Sequence, residues 1–307
     1  MTSVVFPGQG SQYVGMSKDF YDNFSVSKET LHEIEDYTKI DLKNIIFNNE
    51  GDKLDITKFT QISIFASSLM IFKTLQNEIN LNNNSIDVMM GHSLGEYTAL
   101  ACSNKLTLRD ASLILKKRGE LMNSAAPPNK TGMAALIGKD SNYIQKILDD
   151  NNINLQIAND NSPIQVVVSG EINEINKNKD LFLDNKILKY IILNVSSAFH
   201  SKFMLDAQNE LSYEIDNLKF HSNKINLISN YDGEISNNTL KIKSSLKKQM
   251  ANKVNWTKSV KKLEEIGQTK IIEIGPNRVL SGLMKRISKN FDIKSIDKIL
   301  DLKSYEF

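Results

Sequence analysis

The chain has 307 residues, of which 40% are hydrophobic and 24% charged, as in an ordinary soluble globular protein that buries a full core. Its one cysteine excludes a disulfide framework within the chain, and no stretch approaches the roughly 20 apolar residues of a membrane span, so we expect a cytoplasmic protein. The net charge of +2 argues neither for nor against a nucleic-acid partner.

The first part of the chain alternates short apolar segments with helical patterns. Strands are predicted at 2–6 and 86–90, and helices at 27–37, at 61–79, from Glu96 onward and at 107–122. A Gly- and Pro-containing turn follows the first strand, and a Gly-containing turn joins the second strand to its helix. This alternation predicts an α/β fold with a mainly parallel sheet, flanking helices and an α/β-hydrolase-like core.

The middle of the chain has a different rhythm. It predicts a strand at 133–137, a helix at 141–149, strands at 155–158 and 165–169, a helix at 171–185 and a strand at 187–193. This β-α-β-β-α-β order is ferredoxin-like. We therefore expect a small ferredoxin-like α+β subdomain at 128–195, inserted into a large catalytic domain made of 1–127 and 196–307. The large domain resumes with a strand at 225–229, helices at 240–250 and 257–266, and a strand at 270–274.

A candidate nucleophile lies where the second strand meets its helix. The segment Gly91-His92-Ser93-Leu94-Gly95 matches G-x-S-x-G, in which a serine on a strained strand-to-helix turn needs small neighbours on both sides. On such a turn the amide of Leu94 can point at a developing oxyanion. A five-residue pattern of this kind can arise by chance. The predicted strand before it and the predicted helix after it favour a nucleophile over a serine in a purely structural glycine turn.

A serine nucleophile needs a base, and the chain has four histidines. His92 adjoins Ser93, and neighbouring side chains on a sharp turn point apart. His32 lies on a polar helix face and His221 lies in a charged segment. His200 follows the predicted strand 187–193, at the carboxyl end where catalytic groups gather in open α/β sheets. On its own it would be interpreted as a surface-loop histidine.

Arg118 lies in the apolar stripe of the predicted helix 107–122. It shares that face with Ala111, Ile114, Leu115 and Met122. An inward guanidinium is costly unless it is paired, either in a structural ion pair or with the carboxylate of a ligand. Position alone favours the structural pair, whereas a nearby nucleophilic serine favours the ligand.

Several separate motifs together make the chain resemble the malonyl-CoA:acyl carrier protein transacylases of type II fatty acid synthesis. The resemblance extends from Phe6 to about Ile287, and no role is assigned to the tail beyond it. The motifs are Phe6-Pro7-Gly8-Gln9-Gly10-Ser11-Gln12, Gly91-His92-Ser93-Leu94-Gly95-Glu96-Tyr97, Arg118-Gly119, Asn161-Ser162-Pro163 with Gln165-Val166-Val167, Phe199-His200-Ser201, Asn255-Trp256-Thr257-Lys258-Ser259-Val260 and Glu273-Ile274-Gly275-Pro276.

The resemblance implies a role for each of nine residues. Ser93 is the nucleophile, His200 is its base, and the backbone carbonyl of Gln249 orients that base. The amides of Gln9 and Leu94 form the oxyanion hole, and Arg118 is the clamp that binds the malonyl carboxylate. Met122, Phe199 and Asn161 make further contacts with the substrate. Phe199 is expected to crowd an α-methyl group, which favours malonyl over methylmalonyl substrates.

The resemblance also implies the partners. These are malonyl-CoA and an acidic acyl carrier protein, with no cofactor, no metal, no nucleic acid and no membrane, and we expect a monomer. A basic patch is expected to receive the carrier protein. Its candidate lysines are Lys116, Lys117, Lys247, Lys248, Lys253, Lys258, Lys261 and Lys262, although any one of them is more simply a solvated surface residue.

Three alternatives stay open at this point. A patatin-like serine hydrolase would share the serine turn and would use an Asp-Gly pair, for which Asp232-Gly233 is a candidate. A relative that has lost its activity would only dock the carrier protein. The same chemistry could also serve a polyketide pathway, because the difference lies in the carrier protein.

Overall fold

The computed structural model describes residues 2–79, 81, 83–127 and 129–302. A six-stranded sheet forms the centre of the fold, in the spatial order β10-β9-β1-β2-β7-β8. All neighbours run parallel except β7 and β8. The strands are β1 (Thr2–Phe6), β2 (Ile86–Gly91), β7 (Asn226–Ile228), β8 (Ile235–Ser236), β9 (Lys270–Ile274) and β10 (Asp292–Ile296). The predicted α/β fold with a mainly parallel sheet is confirmed.

A second sheet has four antiparallel strands in the order β4-β5-β3-β6. Its strands are β3 (Thr131–Ile137), β4 (Leu155–Ser162), β5 (Gln165–Glu171) and β6 (Lys189–Ile192). The backbone of Val254 pairs with Ala158 and Asp160 of β4, and the hydroxyl of Thr257 donates to Asp160. These bonds fix β4 of the small sheet against residues 254–257, at the start of the helix Trp256–Glu265.

Helices pack around both sheets. They are α1 (Lys18–Asn23), α2 (Ser25–Thr38), α3 (Leu42–Asn48), α4 (Thr57–Glu78), α5 (Leu94–Cys102), α6 (Leu108–Ser124), α7 (Ser141–Asp150), α8 (Ile172–Lys177), α9 (Lys179–Asp184), α10 (Leu205–Asn217), α11 (Thr239–Lys247), α12 (Trp256–Glu265), α13 (Val279–Ile287) and α14 (Ile299–Leu302), with 3₁₀ turns at Glu50–Asp55 and Lys202–Met204. Helix α4 is buried around most of its circumference, as expected for a helix at the centre of a domain.

Helix α6, which carries Arg118, is amphipathic and begins at a side-chain cap. The hydroxyl of Thr107 accepts a hydrogen bond from the Asp110 amide at 3.0 Å, which satisfies one of the free amides of the first turn. Its buried face contains Ala111, Ile114 and Leu115, and it packs against α4. The cap and the apolar stripe together fix which way Arg118 points.

One predicted helix is wrong, and the tail to which no role was assigned has a defined place in the fold. The helix predicted at 171–185 is two short helices, α8 and α9, that meet at Asn178. The Asn178 side chain donates to the Glu174 carbonyl at 2.8 Å, and such local bonds compete with a continuous helix. The tail beyond Ile287, which was given no role, supplies the edge strand β10 of the large sheet.

Candidate active site

Ser93 occupies a strained turn between β2 and α5. Its backbone has φ 53° and ψ −108°, a conformation that costs a non-glycine residue free energy and is found mostly at functional sites. The flanking glycines are required by close approach. A Cβ on Gly91 would overlap the backbone of Gly95, and a Cβ on Gly95 would overlap the Phe6 carbonyl at the end of β1. The motif therefore places Ser93 at the carboxyl edge of the large sheet.

Asn230 holds the backbone of this turn. Its side-chain oxygen accepts from the Ser93 amide at 2.6 Å, and its side-chain nitrogen donates to the Gly91 carbonyl at 2.6 Å. Asn230 is almost completely buried in the loop after β7, the strand next to β2. The Asn230 side chain thus bonds the backbone of the serine turn at both Gly91 and Ser93, and these bonds help to hold the strained conformation.

His200 lies beside Ser93, as the sequence predicted. Its Nε2 is 2.8 Å from the Ser93 Oγ, and the imidazole is buried. Its Nδ1 lies 3.1 Å from the Gln249 carbonyl oxygen and 3.2 Å from the Asn252 carbonyl oxygen. Because carbonyls only accept, Nδ1 carries the proton and the Nε2 lone pair faces the serine hydroxyl. Two backbone carbonyls occupy the place that a carboxylate has in a Ser-His-Asp triad.

The electrostatics of the site keep this imidazole neutral. Burial, followed by the positive charge of Arg118, lowers the pKa of His200 from 6.5 to about 3. A neutral histidine can accept a proton, so the residue is in its basic form at neutral pH. The low pKa also means that the imidazole holds an accepted proton only weakly.

We expect the His200 ring to stay neutral between pH 8 and pH 5. Because its folded pKa is about 3, protonation begins only as the pH falls well below 5. The measurement is an NMR titration of protein labelled with ¹³C at the four histidine rings. The His200 signal is assigned as the one that disappears in His200→Gln. A midpoint for that signal near 6.5, the ordinary histidine value, would contradict this expectation.

Arg118 reaches the same point from α6. It is fully buried, and its Nη2 donates to the Ser93 Oγ at 2.9 Å and to the Gln249 Oε1 at 2.9 Å. Its Nη1 donates to the Gln61 Oε1 at 2.6 Å, and the guanidinium lies 5.3 Å from the centre of the Tyr97 ring. Across the described parts of the chain, no carboxylate oxygen lies within 4.0 Å of it. Of the two sequence-based explanations, the structural ion pair is therefore not found.

A cleft of about 430 Å³ opens next to the serine turn. Gln9, on the loop after β1, lines it together with His92 and Asn161. His92 turns away from Ser93, and its Nε2 lies 2.8 Å from the Asn161 Oδ1 on β4. The large sheet and the small sheet thus both contribute walls, so a ligand in this cleft can reach the Ser93 turn from the small-sheet side.

Three other predicted site residues are buried, and each lies near Ser93, Arg118 or His200 along the chain. Leu94 is the first residue of α5, where helix amides have no acceptor within the helix. Met122 lies one turn after Arg118, and its sulfur is 3.3 Å from the Gln61 Nε2. Phe199 directly precedes His200 and packs in the main hydrophobic core. Their proposed contacts with a substrate remain predictions.

Four polar residues at the site were not singled out from the sequence. Gln61 bonds Arg118, and Asn252 bonds His200. Asn230 bonds the backbone of Ser93, and Glu96 bonds the side chain of Gln249. Glu96 stands inside the motif around Ser93, three residues after it, and Asn230 lies two residues before the Asp232-Gly233 pair. Nothing in their spacing along the chain indicates that they meet.

The sequence matches the acyl transferase domain family over residues 4–301, and the chain belongs to that family. It is 34% identical over 311 residues to the malonyl CoA-acyl carrier protein transacylase of Staphylococcus aureus (strain MRSA252), covering 99% of this chain and 98% of that one. The enzyme of the same name from Bacillus subtilis (strain 168) is 32% identical over 289 residues, covering 93% and 90%. The sequence resemblance is confirmed, and the match continues past Ile287.

Solved structures agree with this assignment. An acyl carrier protein S-malonyltransferase from Vibrio cholerae superposes with a TM-score of 0.93 at 32% identity, covering 99% of each chain. A malonyl-transacylase in complex with its type II PKS acyl-carrier protein gives a TM-score of 0.93 at 30% identity, covering 99% of this chain and 98% of that one. The mixed α/β architecture is therefore that of solved acyltransferases.

The described residues contain neither a candidate membrane span nor a candidate metal cluster. No helix among them is both long enough and apolar enough to cross a lipid bilayer. No group of three or more His, Cys, Asp or Glu side chains among them is arranged to hold a metal ion.

Proposed function

We propose that this enzyme transfers a malonyl group from malonyl-CoA to the phosphopantetheine thiol of an acyl carrier protein, through a malonyl-Ser93 intermediate. One observation carries the proposal. The Ser93 Oγ lies within hydrogen-bond distance of both the His200 Nε2, at 2.8 Å, and the Arg118 Nη2, at 2.9 Å. A nucleophile, a base and a buried cation from three distant segments thus meet at one atom. The malonyl CoA-acyl carrier protein transacylases among its relatives supply the substrate class.

The first half-reaction acylates the serine. The Ser93 Oγ attacks the thioester carbonyl while its proton moves to the His200 Nε2. The amides of Gln9 and Leu94 stabilise the oxyanion of the tetrahedral intermediate. The carbon–sulfur bond then breaks, the proton on His200 passes to the departing sulfur, and CoA leaves as a thiol. A malonyl ester remains on Ser93.

The second half-reaction transfers the group to the carrier protein. His200 takes the proton of the phosphopantetheine thiol, and the thiolate attacks the malonyl-Ser93 ester. The same amides stabilise the second oxyanion. The carbon–oxygen bond breaks, and the Ser93 Oγ regains its proton from His200. The sequence of two transfers is a ping-pong scheme that needs no group from outside the chain other than its two substrates.

Arg118 selects a substrate that carries a free carboxylate. Its guanidinium is desolvated, and burial lowers the pKa of this arginine, so a carboxylate that replaces the Ser93 hydroxyl as acceptor gains a strong charge-assisted interaction. Met122 and Asn161 complete the walls around the acyl group, and the bulk of Phe199 disfavours an α-methyl group. Malonyl is therefore preferred over both acetyl and methylmalonyl.

The finer architecture belongs to the same proposal. Residues 128–195 form a ferredoxin-like subdomain inserted in the α/β-hydrolase-like catalytic domain of 1–127 and 196–307. The strand order β4-β5-β3-β6 of an antiparallel sheet supports the subdomain, and the serine turn after β2 supports the core. Residue 128 itself lies outside the described residues. The enzyme acts in the cytoplasm as a monomer, without nucleic acid.

The carrier protein docks on lysines of α6 and of the later helices. At least five of the eight candidates are ion-paired: Lys116, Lys117, Lys247, Lys258 and Lys262. Their positive charge is partly neutralised, so docking on this surface depends mainly on Lys248, Lys253 and Lys261. A malonyl-transacylase solved with its type II PKS acyl-carrier protein supports a carrier of this class. Fatty acid synthesis is the proposed pathway.

Incubation of the protein with malonyl-CoA, with and without a carrier protein, tests the function. We expect an increase of one malonyl group in intact mass, mapped to residue 93 by digestion, and sustained CoA release only when the carrier is present. Fast CoA release without a carrier would instead favour the hydrolase. The structure gives that alternative little support, because the Asp232 carboxylate accepts from the Ser245 hydroxyl, whereas the Ser93 hydroxyl lies beside His200. The absence of any adduct would favour a protein that only docks the carrier.

A further inference from the structure

Glu96 is a buried carboxylate that the proposed mechanism does not use. It lies in the first turn of α5, three residues after Ser93, and only 3% of its surface is exposed. Within the described residues it has no ion-pair partner closer than 4.0 Å. Burial raises the pKa of Glu96 to about 7, although hydrogen bonds from Gln249 and Asn230 lower it in part. Such a group is costly to keep buried, so its contacts need a reason.

Those contacts lead directly to the groups around the nucleophile. The Glu96 Oε2 accepts a hydrogen bond from the Gln249 Nε2 at 2.7 Å and from the Asn230 backbone amide at 3.2 Å. The same Gln249 nitrogen donates to the Ser93 carbonyl at 2.8 Å. Glu96 therefore touches neither the substrate cleft nor the Ser93 hydroxyl, but it bonds to a residue that contacts both Ser93 and Arg118.

A carboxylate in this position fixes which way the Gln249 amide points. A side-chain amide has a donor end and an acceptor end, and the Glu96 Oε2 acts as an acceptor here, because it also accepts from the Asn230 backbone amide. The Gln249 nitrogen faces this Glu96 oxygen and the Ser93 carbonyl oxygen, so the Gln249 oxygen faces the Arg118 Nη2, at 2.9 Å. In the reversed orientation, Gln249 would present an NH₂ group to the guanidinium and an oxygen to the carboxylate, and both contacts would be repulsive.

The arrangement also leaves the charge of Arg118 available. Its guanidinium is held by the neutral amide oxygens of Gln61 and Gln249, whereas the nearest carboxylate in the network, Glu96, is separated from it by the Gln249 side chain. A carboxylate in direct contact would occupy and neutralise the site where the ligand carboxylate must bind. Two amides instead orient the guanidinium without bringing a carboxylate into contact with it.

We infer that Glu96 is a positioning residue, which orients the Gln249 amide and thereby holds Arg118 ready for the carboxylate of the substrate. The inference rests on the proposed function, because it concerns the acyl selectivity of that same site. Glu96 acts through Gln249, so its loss should affect acyl groups that carry a carboxylate more than acyl groups that do not.

The test is the rate of Ser93 acylation by malonyl-CoA and by acetyl-CoA in Glu96→Met. Methionine has a similar length but offers the amide no comparable acceptor. We expect kcat/KM for malonyl-CoA to fall by about 10–100-fold, because a displaced clamp misplaces the substrate. We expect the acetyl-CoA rate to change by only about 3-fold, because acetyl does not use the clamp. The ratio of the two rates therefore falls about 10-fold.

Two matched variants separate positioning from general damage. Glu96→Gln keeps one acceptor oxygen in reach of both donors, and it should retain the malonyl preference to within about 3-fold. Glu234→Met removes a carboxylate bonded to Lys258 at the surface, and it should leave both rates unchanged. Equal losses with malonyl-CoA and acetyl-CoA in Glu96→Met, or a Glu96→Gln variant as defective as Glu96→Met, would overturn the inference.

Gln249→Met tests the same connection if Glu96→Met does not fold. It removes the oriented amide and keeps the backbone carbonyl that bonds His200, so it should lower the malonyl-to-acetyl ratio by the same factor. Where Glu96→Met does fold, the double variant should be no worse than Gln249→Met, because one path is lost only once. Additive losses would overturn the inference. Wild-type protein that forms no malonyl adduct would remove the proposed function, and the inference with it. An adduct with unchanged selectivity in the variants would remove the inference alone.

Discussion

Ser93→Ala is expected to abolish the malonyl adduct and to lower the rate of transfer to the carrier protein by about 10⁴-fold or more. The variant removes the only hydroxyl that lies between the His200 Nε2 and the Arg118 Nη2 in the described structure. His200 and Arg118 remain in place, so the substrate can still bind. Intact-mass analysis after incubation with malonyl-CoA, and a transfer assay with carrier protein, give the two readouts.

The variant should remain folded, because the serine turn is held by hydrogen bonds to its backbone and not to the Ser93 hydroxyl alone. Asn230 bonds the backbone amide of residue 93, and Gln249 bonds its carbonyl. Alanine retains both of these groups. Ser124→Ala, at the exposed end of α6, is a suitable control and should acylate like the wild type. A malonyl adduct that survives in Ser93→Ala would place the nucleophile elsewhere in the chain.

The serine turn and the buried position of Arg118 could be predicted from the sequence, because each depends on local geometry. Gly91 and Gly95 are dictated by backbone approach within one turn, and that requirement appears as a five-residue pattern. Arg118 interrupts an apolar stripe of period 3.6, so its burial follows from the helix itself. Features that are fixed within one helix or one turn leave a signal in consecutive residues.

The orientation of the His200 imidazole left no such signal. The groups that accept from His200 are the backbone carbonyls of Gln249 and Asn252, and every residue has a carbonyl. Side-chain chemistry therefore could not identify them, and Gln249 was suggested only by the family resemblance. Glu96, Asn230 and Gln61 are hidden for a related reason. Their roles depend on contacts between segments that are far apart in the chain, and no spacing rule describes those contacts.

Arg118→Ala is expected to lower kcat/KM for malonyl-CoA by about 10²–10³-fold, because the malonyl carboxylate loses its cation in a buried site. Acylation by acetyl-CoA does not need that cation and should change by less than about 10-fold. The variant therefore loses most of its preference for malonyl over acetyl. Competition between the two thioesters, followed by intact-mass analysis of the Ser93 adduct, measures the ratio directly.

A second consequence distinguishes the clamp from a structural arginine. The positive charge of Arg118 is the second largest cause of the low pKa of His200, so its removal should raise that pKa. Burial is the largest cause and remains, so the pKa should stay below 6.5. Lys116→Ala, on the outer face of the same helix, should alter neither the acyl preference nor the histidine. An Arg118→Ala enzyme that is folded and still prefers malonyl over acetyl as strongly as the wild type would contradict the clamp, because the carboxylate would then have another partner.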